Sequence, residues 1–130
     1  MKEDIKNKWV AALRSGEYNQ TDGVLKNANG HCCLGVLCEI YIKENNNASF
    51  VKDDQKNADF FHFVPEEHNT PTDYEVLPKV VQRWAGIKTP CGQYSDETSV
   101  ASKRELTKDN DEDKSFETIA DIIEKEWENL

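Results

Sequence analysis

The sequence predicts an α+β protein, a mostly helical single domain over residues 1–130 with about four helices and a small antiparallel sheet. Three observations carry this expectation. Four segments repeat apolar residues at helical spacing, one aromatic run ends at a proline, and 130 residues is close to the commonest size of one domain.

The elements follow in chain order. Ile5, Trp9, Ala12 and Leu13 predict a helix over 3–14 with Trp9 as its core anchor, and Gly16 supplies the stop. Asp22-Gly23 and Asn29-Gly30 are turn signals, and Val24 and Leu25 between them suit a short strand or turn. The stretch 31–43 is the most apolar in the chain. Cys33, Val36, Leu37, Ile40 and Tyr41 form a helical stripe that Leu34 and Cys38 widen, which predicts a central helix. Gly35 inside it allows a close neighbour, at about 1 kcal/mol in helix propensity.

The run from Phe60 to Val64, ended by Pro65, reads as a strand paired with Ser49 to Lys52 or with Tyr74 to Val76. Pro78 opens a third helix whose face is Val80, Val81 and Trp84, and Gly86 closes it. From Pro90 to about Thr107 the chain is polar and loop-like. Ser115 caps a last helix with Phe116, Ile119, Ala120, Ile123 and Trp127 on one face. Between elements, a flexible polar insertion is expected over 45–58 and an acidic loop over 107–114.

Charge narrows the partners. Acidic residues outnumber basic ones by 25 to 16, a formal charge of −9, and no basic run occurs. That opposes direct nucleic-acid binding, which needs clustered Lys and Arg. Lys6 and Lys8, or Lys79 and Arg83, read as ordinary solvated helix charges. The charged N-terminus does not fit a secretory signal, and no stretch nears the ~20 apolar residues of a membrane span. A cytoplasmic protein is expected, with Cys32, Cys33, Cys38 and Cys91 as reduced thiols.

The candidate chemistry is sparse. His31, Cys32, Cys33, Cys38 and Cys91 lack the paired spacing of structural zinc sites, so the thiols read as small core hydrophobes and no metal or cofactor is expected. His31, His62 and His68 are available as bases for a catalytic cysteine, but nothing selects one of them. The run Asp109 to Asp113 opens like a calcium loop. It fails where glycine and the bidentate glutamate are required, at Lys114 and Ala120. No catalytic residue is assigned. Two groups suit a ligand site instead: Arg14, Tyr18 and Gln20 around the first turn, and Trp84, Gln93 and Tyr94; the alternative is that Arg14 pairs with a surface acid and Trp84 sits in the core. A guanidinium beside aromatic rings can hold an anionic, planar ligand.

Four blocks carry a likeness. They are Trp9 to Tyr18; Cys32-Cys33-Leu34-Gly35-Val36-Leu37-Cys38; Leu77-Pro78 with Trp84-Ala85-Gly86; and Ser115-Phe116 with Ile119-Ala120-Asp121. In this order they resemble a family of small uncharacterised bacteriophage accessory proteins. The resemblance implies a phage protein acting in the host cytoplasm, and it brings no site residue with it. The expectation it supports is a non-enzymatic inhibitor of host defence that sequesters a nucleotide immune signal or a host protein, with homo-oligomers possible. An enzyme degrading such a signal, or a structural or regulatory phage protein without ligand, are the alternatives.

Overall fold

A helix that is apolar around most of its circumference has to be wrapped on several sides. In the computed structural model, which describes residues 1–55, 59–67, 71, 74–95 and 102–130, that helix is α2 (Cys33–Asn45). Eight of its residues are buried, Cys33 and Cys38 among them. The thiols therefore act as small core side chains. Burial, with a smaller push from the Asp111 charge, raises the Cys32 thiol to about 11, which keeps it protonated and inert.

α1 (Glu3–Arg14) packs along α2 and also along the last helix, α5 (Phe116–Glu126). Trp9 of α1 is fully buried, and its indole N–H donates to the Cys33 carbonyl at 2.9 Å. Ser115 caps α5 by accepting from the Thr118 N–H at 3.1 Å. α3 (Lys79–Ala85) closes against α2 through Val81 and Ala85, and Gly86 ends it with φ +74°.

The strands form two separate antiparallel pairs. β1 (Lys26–Asn27) and β2 (Gly30–His31) make a minimal hairpin joined by Ala28 and Asn29. β3 (Ala48–Lys52) pairs with β4 (Phe61–Pro65) so that Phe50 faces Phe63. The sheet partner of the aromatic run is thus Ser49 to Lys52, and Tyr74 to Val76 lies outside any strand.

The α+β class holds, with two corrections of detail. The expected flexible insertion at 45–58 contains β3, because its backbone is paired along its length with β4; residues 56–58 lie outside the described residues. The expected acidic loop at 107–114 contains a fifth helix, α4 (Leu106–Asp111). Its buried residues are Leu106, Asp109 and Asn110, so two of the three are polar. Hydrophobic periodicity cannot detect a helix that buries polar side chains.

Asn110 shows how such burial is tolerated. It is 2% exposed, and its amide is satisfied on both sides. Its Oδ1 accepts from the Cys33 N–H at 3.1 Å and from Gln20 Nε2 at 3.0 Å, and its Nδ2 donates to the Thr21 carbonyl at 2.8 Å. Gln20 in turn donates to the Lys114 carbonyl and accepts from the Phe116 N–H. One amide therefore ties α4 to the start of α2 and, through Gln20, to the start of α5. Asn110→Ala strands the Cys33 donor and the Thr21 acceptor, at roughly 1–3 kcal/mol each. Urea denaturation should show a loss of about 3 kcal/mol; a change below about 0.5 kcal/mol would contradict the tie.

Gly35 supplies the second constraint. A Cβ there would lie 1.8 Å from the Leu25 carbonyl oxygen. Leu25 is fully buried; its carbonyl accepts from the Cys32 N–H, and its N–H donates to the Tyr74 carbonyl at 2.7 Å. Gly35→Ala gains up to ~1 kcal/mol of helix propensity. It must nevertheless push this strap off the helix, so a net loss of about 3 kcal/mol is expected, near the top of the range for overpacking. An unchanged denaturation midpoint would show that the strap yields freely.

Candidate functional site

The five residues singled out in the sequence serve different parts of the fold. Arg14 closes α1 onto α5, with its guanidinium shared among Glu117 at 3.3 Å, Asp121 at 2.6 Å and Glu124 at 2.9 Å. The bonds to Glu124 and Asp121 raise it above its ordinary range, and three carboxylates already occupy it. Tyr18 covers His31 edge-on at 5.2 Å, and its hydroxyl accepts from Lys43 Nζ at 3.1 Å. Gln20 is committed to the Asn110 relay. Trp84 packs edge-on against Tyr41 at 5.3 Å, as a partly buried wall of the core.

Tyr94 comes nearest to a ligand-binding role. It lines a polar cleft of about 610 Å³ with Arg104, Lys108 and Lys125. Its hydroxyl donates to the buried Asp109 at 2.6 Å, and Lys114 binds the other oxygen of Asp109 at 2.6 Å. Burial and this hydrogen bond hold the Tyr94 phenol well above its ordinary range. Five basic side chains face four acidic ones around this cleft, so most of its positive charge is cancelled. Gln20 lines a different cleft, of about 490 Å³, with Asp22, Asp113 and several amides. The sequence-predicted residues do not converge.

A larger cleft does better as an anion site. It measures about 770 Å³ and runs between β4, the 74–78 segment and α3. His62, Tyr74, Lys79, Gln82 and Lys88 supply its chemistry, and three prolines with Val76 and Leu77 its apolar surface. None of its described lining residues is acidic, although 25 of the 130 residues in the chain are. Lys79 and Lys88 form no ion pair among the described residues; Lys88 Nζ only approaches the Asn129 carbonyl, at 3.4 Å. Clefts of roughly 300–1,000 Å³, mostly apolar with a few placed polar groups, are typical small-molecule sites.

The fold builds this cleft from distant pieces. The bond from the Leu25 N–H to the Tyr74 carbonyl seats one wall against the Gly35 strap, and the Leu77 N–H bonds the Pro90 carbonyl at 2.9 Å to hold the next. Tyr74 stacks on Phe60 with ring centroids 4.4 Å apart, and both rings stand edge-on to His62, at 5.5 and 5.3 Å. His62 Nε2 lies 2.6 Å from Asp53 Oδ2. That hydrogen bond, then the Gln55 N–H, hold the Asp53 carboxyl below its ordinary range. In the sequence Lys79 is one more helix charge and His62 one of three histidines, and no spacing links either to Lys88.

The chain matches the family described as Domain of unknown function (DUF8296) over residues 1–127. It belongs to that family. No curated protein and no solved structure matches it. The family match spans every residue of the His62 cleft. Among the described residues of this DUF8296 member, no helix is long and apolar enough to cross a membrane, and no three His, Cys, Asp or Glu side chains gather to hold a metal. His68 lies outside the described residues.

One further charged cluster belongs to the fold. Glu39 of α2 meets His31 Nε2 at 2.9 Å and Lys26 Nζ at 3.2 Å. Lys26 also sits over the rings of Phe61 and Phe50, at 4.7 and 5.2 Å. Burial alone would raise the Glu39 carboxyl, but the His31 hydrogen bond and the Lys26 charge outweigh it and leave the group below its ordinary 4.5. A depressed folded-state pKa gives stability that is present above the ordinary carboxylate value and lost as pH falls through the folded value. Glu39→Gln should therefore be less stable than the parent near pH 6, with the gap closing as pH drops below about 4.5. Denaturation midpoints between pH 3 and 6 read this directly, and a gap independent of pH would contradict it.

Proposed function

We propose that this protein is a non-enzymatic, phage-derived inhibitor of host defence that sequesters a small nucleotide signal in the His62–Lys79–Lys88 cleft. The observation that carries the reading is the charge of the cleft. In a chain of net charge −9, a cleft of about 770 Å³ presents two lysines and, among its described lining residues, no acidic side chain. Local fields of this kind act at contact distance, while the acidic exterior is screened beyond about 8 Å at physiological salt. The prolines and Tyr74 offer apolar surface to a base or sugar, and the lysines offer point charges to phosphate. These features favour a small anionic ligand over a host protein, and the phage setting rests on the sequence resemblance.

A second reading draws on the Asp53–His62 pair. A carboxylate holding one imidazole nitrogen is the arrangement that orients a general base, so an enzyme degrading the same signal would use these residues.

The test is native mass spectrometry on protein purified from phage-infected, defence-bearing cells, followed by calorimetric titration with linear and cyclic nucleotides. The expected result is a retained small molecule that denaturation releases unchanged. The double variant K79A/K88A should bind it at least about tenfold more weakly, since a hydrogen bond to a charged group contributes ~1.5–3 kcal/mol. Time-dependent conversion to a new mass would establish the enzyme instead. Nucleotide affinity absent from the parent, or unchanged in K79A/K88A, would remove the cleft from consideration.

A further inference from the structure

The imidazole of His62 has two nitrogens in unlike situations. Nε2 faces the Asp53 carboxylate at 2.6 Å. A carboxylate only accepts hydrogen bonds, so the hydrogen in that contact belongs to Nε2. In the neutral ring Nδ1 is then a bare acceptor. It is also buried and has no hydrogen-bond partner among the described residues. Buried polar atoms without partners are few in native proteins, and each asks for an explanation. Here the explanation lies beside it, since His62 lines the cationic cleft and Tyr74, whose ring stands perpendicular to the imidazole with centroids 5.5 Å apart, lines the same cleft.

Resting on the nucleotide reading above, we propose that His62 sets which nucleotide the cleft accepts: its Nδ1 receives a ring N–H or amino group from the edge of the base, and the Tyr74 ring shifts to let the base reach it. Gln82 points the same way. Its Nε2 donates to the Leu77 carbonyl at 3.2 Å, which leaves its side-chain oxygen as a second acceptor in the cleft wall. With His62 and Gln82 both accepting and Lys79 and Lys88 cationic, the chemistry selects a nucleotide whose base edge donates. A base whose donors are blocked by methyl groups leaves Nδ1 unpaired and adds bulk at the same point. The competing role for the Asp53–His62 contact is structural, a staple between the segment after β3 and β4.

The experiment compares matched ligands that differ only in that donor, uridine and N3-methyluridine phosphates, of which the second has no donor left on its base edge. Each is titrated into the parent, His62→Phe and Asp53→Asn. The parent should favour the donor-bearing ligand by about tenfold, in line with one hydrogen bond made or lost. His62→Phe should bind both members of a pair equally while still responding to K79A/K88A. Asp53→Asn keeps the ring in place and releases its tautomer, so its discrimination should fall even if His62→Phe does not fold. A staple alone would lower the melting temperature of both variants and leave the ratio of affinities unchanged, which would overturn the assignment. Lysine-dependent nucleotide binding by the parent without any preference within a pair would also overturn it, while leaving the nucleotide reading in place. Absence of nucleotide binding altogether would remove both.

Discussion

The close approach of Leu25 to Gly35 is the contact on which most of this structure depends. A helix buried on nearly every side cannot have long side chains everywhere, because something must reach its backbone. At Gly35 the missing Cβ lets the Leu25 carbonyl lie against the helix, where it accepts from the Cys32 N–H at the N-cap. The same residue hands its own N–H to Tyr74. A single glycine thus sets the depth of a strap that carries the β1–β2 hairpin on one side and a wall of the large cleft on the other. Asn110 does comparable work at the helix start, where its amide replaces the water that the first N–H of α2 and the Thr21 carbonyl would otherwise need.

Charge is sorted by place in this molecule. Much of the acidic excess sits on exposed helix faces, where Glu117, Asp121 and Glu124 share Arg14. Exposed contacts of that kind add little stability, but they hold α5 to α1 in a fixed register. Buried carboxylates are handled differently. Asp109 has both oxygens bound, one to Tyr94 and one to Lys114, as a carboxylate removed from water requires. That neutralisation leaves the Tyr94 cleft with little net charge, whereas the lysines of the His62 cleft meet no carboxylate among the described residues.

The helices were readable wherever burial is apolar. Ile5, Trp9 and Leu13 mark α1; the thiols and aliphatic residues of 33–41 mark α2; and Ser115 with Phe116, Ile119 and Ile123 marks α5 to within a residue. α4 escaped because Asp109 and Asn110 are buried by hydrogen bonds, which leave no periodic trace. Arg14 and Tyr18 drew attention for their chemistry, yet their partners, Glu117, Asp121, Glu124 and Lys43, lie far along the chain. Sequence distance hides such pairs, and with them the distinction between a free guanidinium and an occupied one.

The sequence by itself determined the class of the fold and the identity of its central helix, offered the aromatic strand two partners, and marked Gly35 as a place where a neighbour can come close. These follow from local periodicity, turn chemistry and the volume of side chains, all of which act within a few residues. Only the tertiary structure decided where the cationic cleft lies. His62, Tyr74, Lys79 and Lys88 come from a strand, a turn, a helix start and a loop, and each is unremarkable alone. Their chemistry arises from proximity and from two lysines that form no ion pair among the described residues, and both are properties of the packed chain.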